Sequence, residues 1–186
     1  MSHKIKTILG VDPGTNILGY AIIEVHGGDN IRLIHNDVIH LQEWKEHQVK
    51  LKEIFLQIQE VIEKYQPGEM AIESPFYGKN IQSMLKLGRA QGVAIAAGIT
   101  MGLDIHEYSP KKIKQAVTGN GNASKQQVAA MVEHLVKIKL EPKFLDSTDA
   151  LAAALCPHFQ NGTLKTTGGG TWKKFIAANP ERLLPS

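Results

Sequence analysis

Four carboxylate side chains adjoin apolar segments, where an isolated charge is costly to place. They are Asp12, Glu73, Asp146 and Asp149. The apolar segments beside them are 7–11, 70–72 and 150–155. Clustered carboxylates repel one another unless a cation lies among them, and hard oxygen ligands of this kind suit Mg²⁺ or Mn²⁺. If the fold gathers these acids, their residue types predict a divalent-metal site.

Each acid also has a structural explanation when it is considered alone. Asp12 precedes Pro13-Gly14 and fits a turn, and Glu73 fits a strand end that faces solvent. Asp146 fits a helix N-cap, and Asp149 fits the negative charge that a first helical turn favours. The four acids together favour a site, because the ends of three separate elements would converge in one sheet-and-helix architecture.

The elements that must position these acids follow from hydrophobic periodicity and turn residues. The predicted strands cover 7–11, 19–25, 31–40, 70–73 and 104–108. The predicted helices run from Trp44 to before Pro67, from Asn80 to Met101, from Pro110 after the N-cap Ser109, from the capping box of Ser124 and Gln127 to Lys137, and from Asp146 to Pro157. A helix over Asp146 and Asp149 would place both on one face. This order predicts an α/β fold with a mixed five-stranded sheet flanked by helices.

Length and composition limit the class of protein. A chain of 186 residues suits one domain, which we place at 1–160, followed by a flexible, basic, Gly/Thr-rich C-terminal tail at 161–186. The chain has no run of about eighteen apolar residues and no basic-then-apolar leader, so we expect a cytoplasmic protein without a membrane span. The single Cys156 is predicted to be a core residue. The net charge of +3 permits a polyanionic partner without requiring one.

Several segments resemble the RuvC family of crossover-junction (Holliday-junction) endodeoxyribonucleases. The resemblance begins with the sequence DPGTNILGYA at 12–21. It continues with AIE at 71–73, Phe76, Lys79-Asn80, LKLGRAQG at 85–92 and the segment 146–150, in the family's order and approximate spacing. The similarity extends over residues 7–160, and it does not reach the tail.

This resemblance implies a ribonuclease H-like fold, a homodimer and paired symmetric nicks in four-way junction DNA, in recombination and DNA repair. The family's acidic tetrad matches Asp12, Glu73, Asp146 and Asp149. These acids would hold two Mg²⁺ ions per active site, with Mn²⁺ as a substitute, for a two-metal hydrolysis. The implied products carry 5′-phosphate and 3′-hydroxyl ends. The implied partners are the branch-migration proteins RuvA and RuvB.

Basic residues near the acids are candidates for contacts with DNA phosphates, which bind without reading bases. They are Lys79, Lys86, Arg89, Lys111, Lys114 and Lys125. Lys86 and Arg89 would share a helical face, and Lys114 and Lys125 match basic positions of the resolvases. The alternative for such cations is an ordinary solvated surface.

Two aromatic residues follow Glu73 in a Ser-Pro loop. An aromatic side chain beside a cleft can stack on bases that are unpaired at a junction, although it can also belong to the core. Phe76 matches the family's stacking position, and Tyr77 is the weaker candidate.

Two other classes of function compete with a nuclease. Actin-like ATPases and sugar kinases also open with Asp, Gly and Thr in a phosphate-binding hairpin, but they need two related lobes, and 186 residues supply one. A non-catalytic junction-binding protein would need the cations and would leave the four acids unexplained.

Overall fold

The computed structural model describes residues 5–27, 30–75, 80–139 and 147–160. The strands are β1 (Lys6–Asp12), β2 (Ile17–Val25), β3 (Ile31–His40), β4 (Glu69–Glu73) and β5 (Asp104–Tyr108). The helices are α1 (His47–Tyr65), α2 (Ile81–Thr100), α3 (Pro110–Thr118), α4 (Lys125–Val136) and α5 (Thr148–Gln160). The predicted α/β order is confirmed. The predicted tail at 161–186 lies outside the described residues.

The strands form one five-stranded mixed sheet in the order β3-β2-β1-β4-β5. The first three strands make an antiparallel meander, whereas β4 and β5 run parallel to β1. Parallel neighbours need a crossover, and α1 and α2 supply the two crossovers. The central strand β1 therefore has its C-terminal end beside that of β4.

Helices cover both faces of the sheet and bury a separate core on each face. One core lies under α1 and α2 and contains Leu9, Val11 and Ile72, and the other lies under α3, α4 and α5 and contains Ile8 and Ala71. This alternation along β1 and β4 is the two-residue period of a strand that is buried on both faces. Each side chain's position in the strand thus decides which helical layer it meets.

Helix α5 lies directly against β1 because β1 carries a glycine at the contact. A Cβ atom at Gly10 would collide with the carbonyl oxygen of Ala150 and would lie 2.7 Å from the Cβ of Ala154. Every residue from Ala150 to Cys156 is buried, so the prediction of Cys156 as a core residue is confirmed. The close packing sets the height of the α5 N-terminus above the sheet.

The starts of α3 and α4 follow the capping signals, whereas α1 begins at His47 and not at the predicted Trp44. The side chain of Ser109 accepts a hydrogen bond from the Lys112 N–H, and Ser124 and Gln127 form a complete capping box. The predicted end of α5 near Pro157 is wrong, since the helix continues to Gln160. Burial of α5 as far as His158 stabilises the helix past the proline, although the proline removes one N–H donor and crowds the preceding turn.

Within the described ranges, none of the helices is both long enough and apolar enough to span a bilayer.

Candidate active site

Asp12 and Glu73 are the last residues of two adjacent parallel strands. The register pairs Val11 of β1 with Ile72 of β4, so the next residue of each strand lies at the same edge of the sheet. Ile8 and Ala71 face the α3–α5 layer. Asp12 and Glu73 follow these residues at even spacing, so their side chains are on the α5 face.

The N-terminus of α5 brings a third carboxylate to this edge. Asp149 occupies the first turn of the helix, one residue before the Ala150 carbonyl that lies over Gly10. Its charge acts on both strand acids, raising the pKa of Asp12 and of Glu73. The predicted convergence of three elements is therefore what the fold produces for Asp12, Glu73 and Asp149.

Burial and mutual repulsion make the two strand acids hard to ionise. Desolvation and the charge of Asp149 raise the pKa of Asp12 to about 7. Desolvation, Asp12 and Asp149 together raise the pKa of Glu73 to about 7. An ionised carboxylate in such a place is costly without a cation. We define Asp12, Glu73 and Asp149 as the acidic site.

Lys125, at the start of α4, provides a positive charge at the acidic site. Its Nζ atom donates a 2.8 Å hydrogen bond to Oδ2 of Asp149, and this bond raises the lysine pKa. The lysine side chain stays 80% exposed, while that of Asp149 is 29% exposed. Lys125 and Lys114 of α3 both lower the pKa of Glu73, which places two predicted cations within electrostatic range of this acid.

The other predicted site residues are distributed differently. Asp146, Phe76, Tyr77 and Lys79 lie outside the described residues, so their proposed roles stay predictions. The described part of α5 begins at Thr148, and the expectation that one helix carries both Asp146 and Asp149 is likewise untested.

Lys86 and Arg89 are exposed on α2, on the sheet face opposite α5. Their charges, with that of Lys50, lower the pKa of His47 at the start of α1, after the larger effect of burial. Lys111 is exposed on α3, where its side chain packs over Gly121. The structure thus places Lys86 and Arg89 near the start of α1 and Lys111 beside the α3–α4 connection, whereas Lys125 and Lys114 are the cations that act on Glu73.

Two residues in the structure have roles that the sequence did not reveal. Lys50 bonds to the loop that follows Asp12, and no motif marks a lysine in the first turn of a helix for such a contact. Gln91, within the LKLGRAQG motif, is buried and donates a 2.7 Å hydrogen bond to Glu107 of β5. That contact gives the motif a structural function, because it joins α2 to the sheet.

The acidic site has the donor chemistry of a Mg²⁺ or Mn²⁺ centre. Its oxygen ligands are hard, and burial, followed by repulsion among the acids, raises the pKa of Asp12 and Glu73. A bound cation would remove this penalty on ionisation. Among residues 5–27, 30–75, 80–139 and 147–160, no three His, Cys, Asp or Glu side chains are close enough to enclose an ion as they stand. Asp149 is instead paired with Lys125, and Asp146 lies outside those ranges. The residues fit a metal by the chemistry of their oxygen donors.

Comparison with known proteins gives one consistent family. The family model for crossover junction endodeoxyribonuclease RuvC matches residues 8–158. A protein of that name from Cytophaga hutchinsonii is 55% identical over 178 residues, 96% of this chain and 88% of the relative. Its namesake from Porphyromonas gingivalis is 49% identical, over 98% of this chain and the whole relative.

Solved structures agree with the sequence comparison. Thermus thermophilus RuvC in complex with a Holliday junction substrate superposes with a TM-score of 0.78 at 30% identity, covering 84% of this chain and 94% of that one. A second structure of Thermus thermophilus RuvC gives a TM-score of 0.76 at 30% identity, covering 84% of this chain and 97% of that one. The ribonuclease H-like fold with a mixed five-stranded sheet is thereby confirmed.

Proposed function

Because the chain belongs to the crossover junction endodeoxyribonuclease RuvC family, we propose that it resolves Holliday junctions by paired symmetric nicks, in DNA recombination and repair. One observation carries the site assignment. The strand acids Asp12 and Glu73 meet Asp149 of α5 at one edge of the sheet, and the first two have a pKa of about 7. Such a cluster is costly as a purely structural feature and useful as a cation site.

The proposed catalytic and metal-binding residues are Asp12, Glu73, Asp146 and Asp149. When bound, two Mg²⁺ ions, or Mn²⁺ in their place, would lower the pKa of the attacking water and stabilise the departing 3′ oxygen. The role of the protein chain itself is to hold the carboxylates together at one edge of the sheet. The Gly10 contact does this for α5, and the parallel register does it for β1 and β4.

Cations at the rim of the acidic site would bind the phosphates on both sides of the cleaved bond. Lys125 and Lys114 are the best placed, since both act electrostatically on the acidic site. On DNA binding, a phosphate would compete with Asp149 for the exposed Lys125 ammonium, which would leave the Asp149 carboxylate free for a metal ion. Lys79, Lys86, Arg89 and Lys111 would extend the phosphate contacts, and Phe76 and Tyr77 would stack on unpaired bases.

A homodimer would supply the two equivalent active sites that two symmetric nicks require. The outward side of α2 carries large apolar side chains that are unusually exposed for a protein surface: Ile81 is 68%, Leu85 51% and Ile99 60% exposed. Gly88 and Gly92 lie between them, and a Cβ atom there would meet nothing within 4 Å. An apolar side with open glycines suits close packing against the same helix of a second copy. Light scattering of the free protein tests this proposal, which predicts twice the mass of the chain.

The remaining proposals concern the cellular setting. We place the enzyme in the cytoplasm with the branch-migration proteins RuvA and RuvB as partners. The family resemblance supports the partners, and none of the described contacts identifies their binding surface.

The decisive experiment incubates the protein with a labelled four-way junction and Mg²⁺, beside a linear duplex of the same sequence. We expect symmetric, ligatable nicks in the junction and no cleavage of the duplex. A parallel ATP-turnover assay covers the single-lobe actin-like ATPase alternative. Tight junction binding without any nicking would favour the non-catalytic alternative and would overturn the proposed function.

A further inference from the structure

Lys50 connects α1 to the loop that follows the first strand acid. Its Nζ atom donates hydrogen bonds to the carbonyl oxygen of Thr15 at 3.0 Å and to Oδ1 of Asn16 at 3.1 Å. Lys50 lies in the first turn of α1, in the layer opposite α5. Two charge-assisted hydrogen bonds therefore cross from the helix to the connection between β1 and β2.

The connection is short and has little freedom of its own. A Cβ atom at Gly14 would collide with the carbonyl oxygen of Ile17, so the loop folds tightly back on the start of β2. The N–H group of Leu41 donates a 2.7 Å hydrogen bond to the carbonyl oxygen of Asn16. Together with the Lys50 bonds, this contact attaches the far side of the loop to the body of the protein.

Asp12 is directly upstream of this loop and is the last residue of β1 that pairs with β2, opposite Gly19. Its backbone is held by the sheet on one side and by the loop on the other. A shift of the loop would therefore turn the Asp12 carboxylate away from Glu73 and Asp149. Small displacements of reacting groups cost large factors in rate, about a hundredfold for 1 Å.

We propose that Lys50 is a positioning residue for cleavage, which fixes the loop 13–16 against α1 and thereby the direction of the Asp12 carboxylate. This inference rests on the proposed catalytic function of Asp12. It assigns Lys50 a mechanical role and not an electrostatic one. Lys125, and not Lys50, is the cation that opposes the rise in the Asp12 pKa.

The test compares Lys50→Met with Lys50→Arg, and it uses Lys52→Met as the matched control. Lys52 is exposed two residues further along the same helix. We expect Lys50→Met to lower the single-turnover cleavage rate by between about ten- and a hundredfold, with the junction Kd changed less than about twofold and its salt dependence unchanged. Arginine should recover most of the rate because it keeps the donors, and Lys52→Met should cleave normally.

A second variant keeps the test sound if Lys50→Met folds poorly. Asn16→Ala removes one of the two acceptors from an exposed loop position, while the Thr15 carbonyl stays. Its loss of rate should be smaller than that of Lys50→Met, and the double variant should be no slower than Lys50→Met alone. Additive losses from the two changes would contradict a shared contact.

Hydrogen exchange of the backbone amides in 14–18 provides a readout that is independent of cleavage. In the metal-free protein, exchange there should be faster in Lys50→Met than in wild type and unchanged in Lys52→Met. Normal cleavage and normal exchange in Lys50→Met would overturn this inference alone. A Kd that rises as much as the rate falls, with a shallower salt slope, would show that Lys50 contacts phosphate instead. A wild-type protein that does not nick junctions would overturn the proposed function itself.

Discussion

Strand β4 carries a glutamate at each end, and the two lie in opposite electrostatic settings. Glu69 begins the strand and accepts a 2.7 Å hydrogen bond from the Lys6 ammonium, with Nε2 of His106 at 3.5 Å on its other oxygen. Glu73 ends the strand near Asp12, and its pKa rises to about 7. None of the described hydrogen bonds or ion pairs involves its carboxylate.

Under the proposed function, this difference separates an acid that serves the fold from an acid that serves the active site. Glu69 has the Lys6 ammonium as an ion-pair partner within the fold, so its charge is already balanced where it lies. Glu73 has other acids as its nearest charges, and Lys125 and Lys114 offset them only in part. A protein that keeps such a cluster has a use for a cation from outside the fold. Two glutamates four residues apart on one strand thus have different electrostatic surroundings, and our proposal gives them different functions.

The largest expected effect tests this contrast directly. Glu73→Gln should lower Mg²⁺-dependent junction cleavage by more than about a hundredfold, the upper end of what loss of a group that merely supports a metal ligand costs. Glu69→Gln should cleave at the wild-type rate, because that carboxylate serves only the ion pair with Lys6. Gel assays of both variants at saturating protein measure this. Near-normal nicking by Glu73→Gln would contradict the proposed active site.

The next effect concerns the residues beyond the Glu73 end of β4. Phe76 lies three residues after Glu73 in the sequence. The three residues before Glu69 include no aromatic; they are Gln66-Pro67-Gly68. Stacking on a base contributes ~1–3 kcal/mol, about 5- to 150-fold. If it helps to open the junction centre, Phe76→Ala should weaken cleavage more than binding. Separate measurements of Kd and of the single-turnover rate decide this, and equal small losses in both would favour a core role.

A smaller effect contrasts the lysines that pair with acids at the two ends of the sheet. Lys125→Met should weaken junction binding and reduce the slope of log Kd against log salt by about one phosphate contact. Lys6→Met should leave the salt slope unchanged and cost at most about 1 kcal/mol of stability, as for other partly exposed pairs. Fluorescence titrations across a range of salt concentrations provide both slopes. Parallel slopes for Lys125→Met and wild type would exclude Lys125 from the DNA interface.

The smallest effect is a pH dependence of stability in the metal-free protein. Folding raises the pKa of Asp12 from 3.8 to about 7, so the folded state binds more protons than the unfolded state between these pH values. The unfolding free energy from this group therefore falls as pH rises through that window and is lowest above about pH 7. Asp12→Asn removes the ionisable carboxyl.

The variant should consequently be more stable than wild type at pH 8, and this advantage should shrink towards pH 5. Thermal melts in the presence of a chelator measure the difference between the two proteins at each pH. Glu69→Gln is the matched comparison, and it should lose stability at pH 8 because Lys6 loses its partner. An advantage of Asp12→Asn that stays constant from pH 5 to pH 8 would contradict the elevated pKa.

Most helices and strands of this fold can be predicted from the sequence, because local patterns of apolar and capping residues determine their positions. Alternating or continuous apolar runs predicted the five strands, and the capping box of Ser124 and Gln127 marked the start of α4. The predicted end of α5 was wrong, because burial of the helix as far as His158 outweighs the proline that local rules treat as a stop. Local signals predict the positions of helices and strands well, but they predict an element's end poorly where tertiary packing extends the element.

For the site, the sequence by itself determined which residues have side chains that could bind a metal ion. The acids Asp12, Glu73 and Asp149 were identifiable from their positions beside apolar runs and from the RuvC-like motifs. Tertiary structure decided which acids meet, since the parallel register of β1 and β4 and the approach of α5 over Gly10 bring together positions more than a hundred residues apart. It also decided that Glu69 forms an ion pair with Lys6 whereas Glu73 lies near two other acids, and that Lys50 reaches the loop after Asp12. Burial, charge proximity and hydrogen bonding across elements depend on distances in space, and no local pattern in a chain encodes those distances.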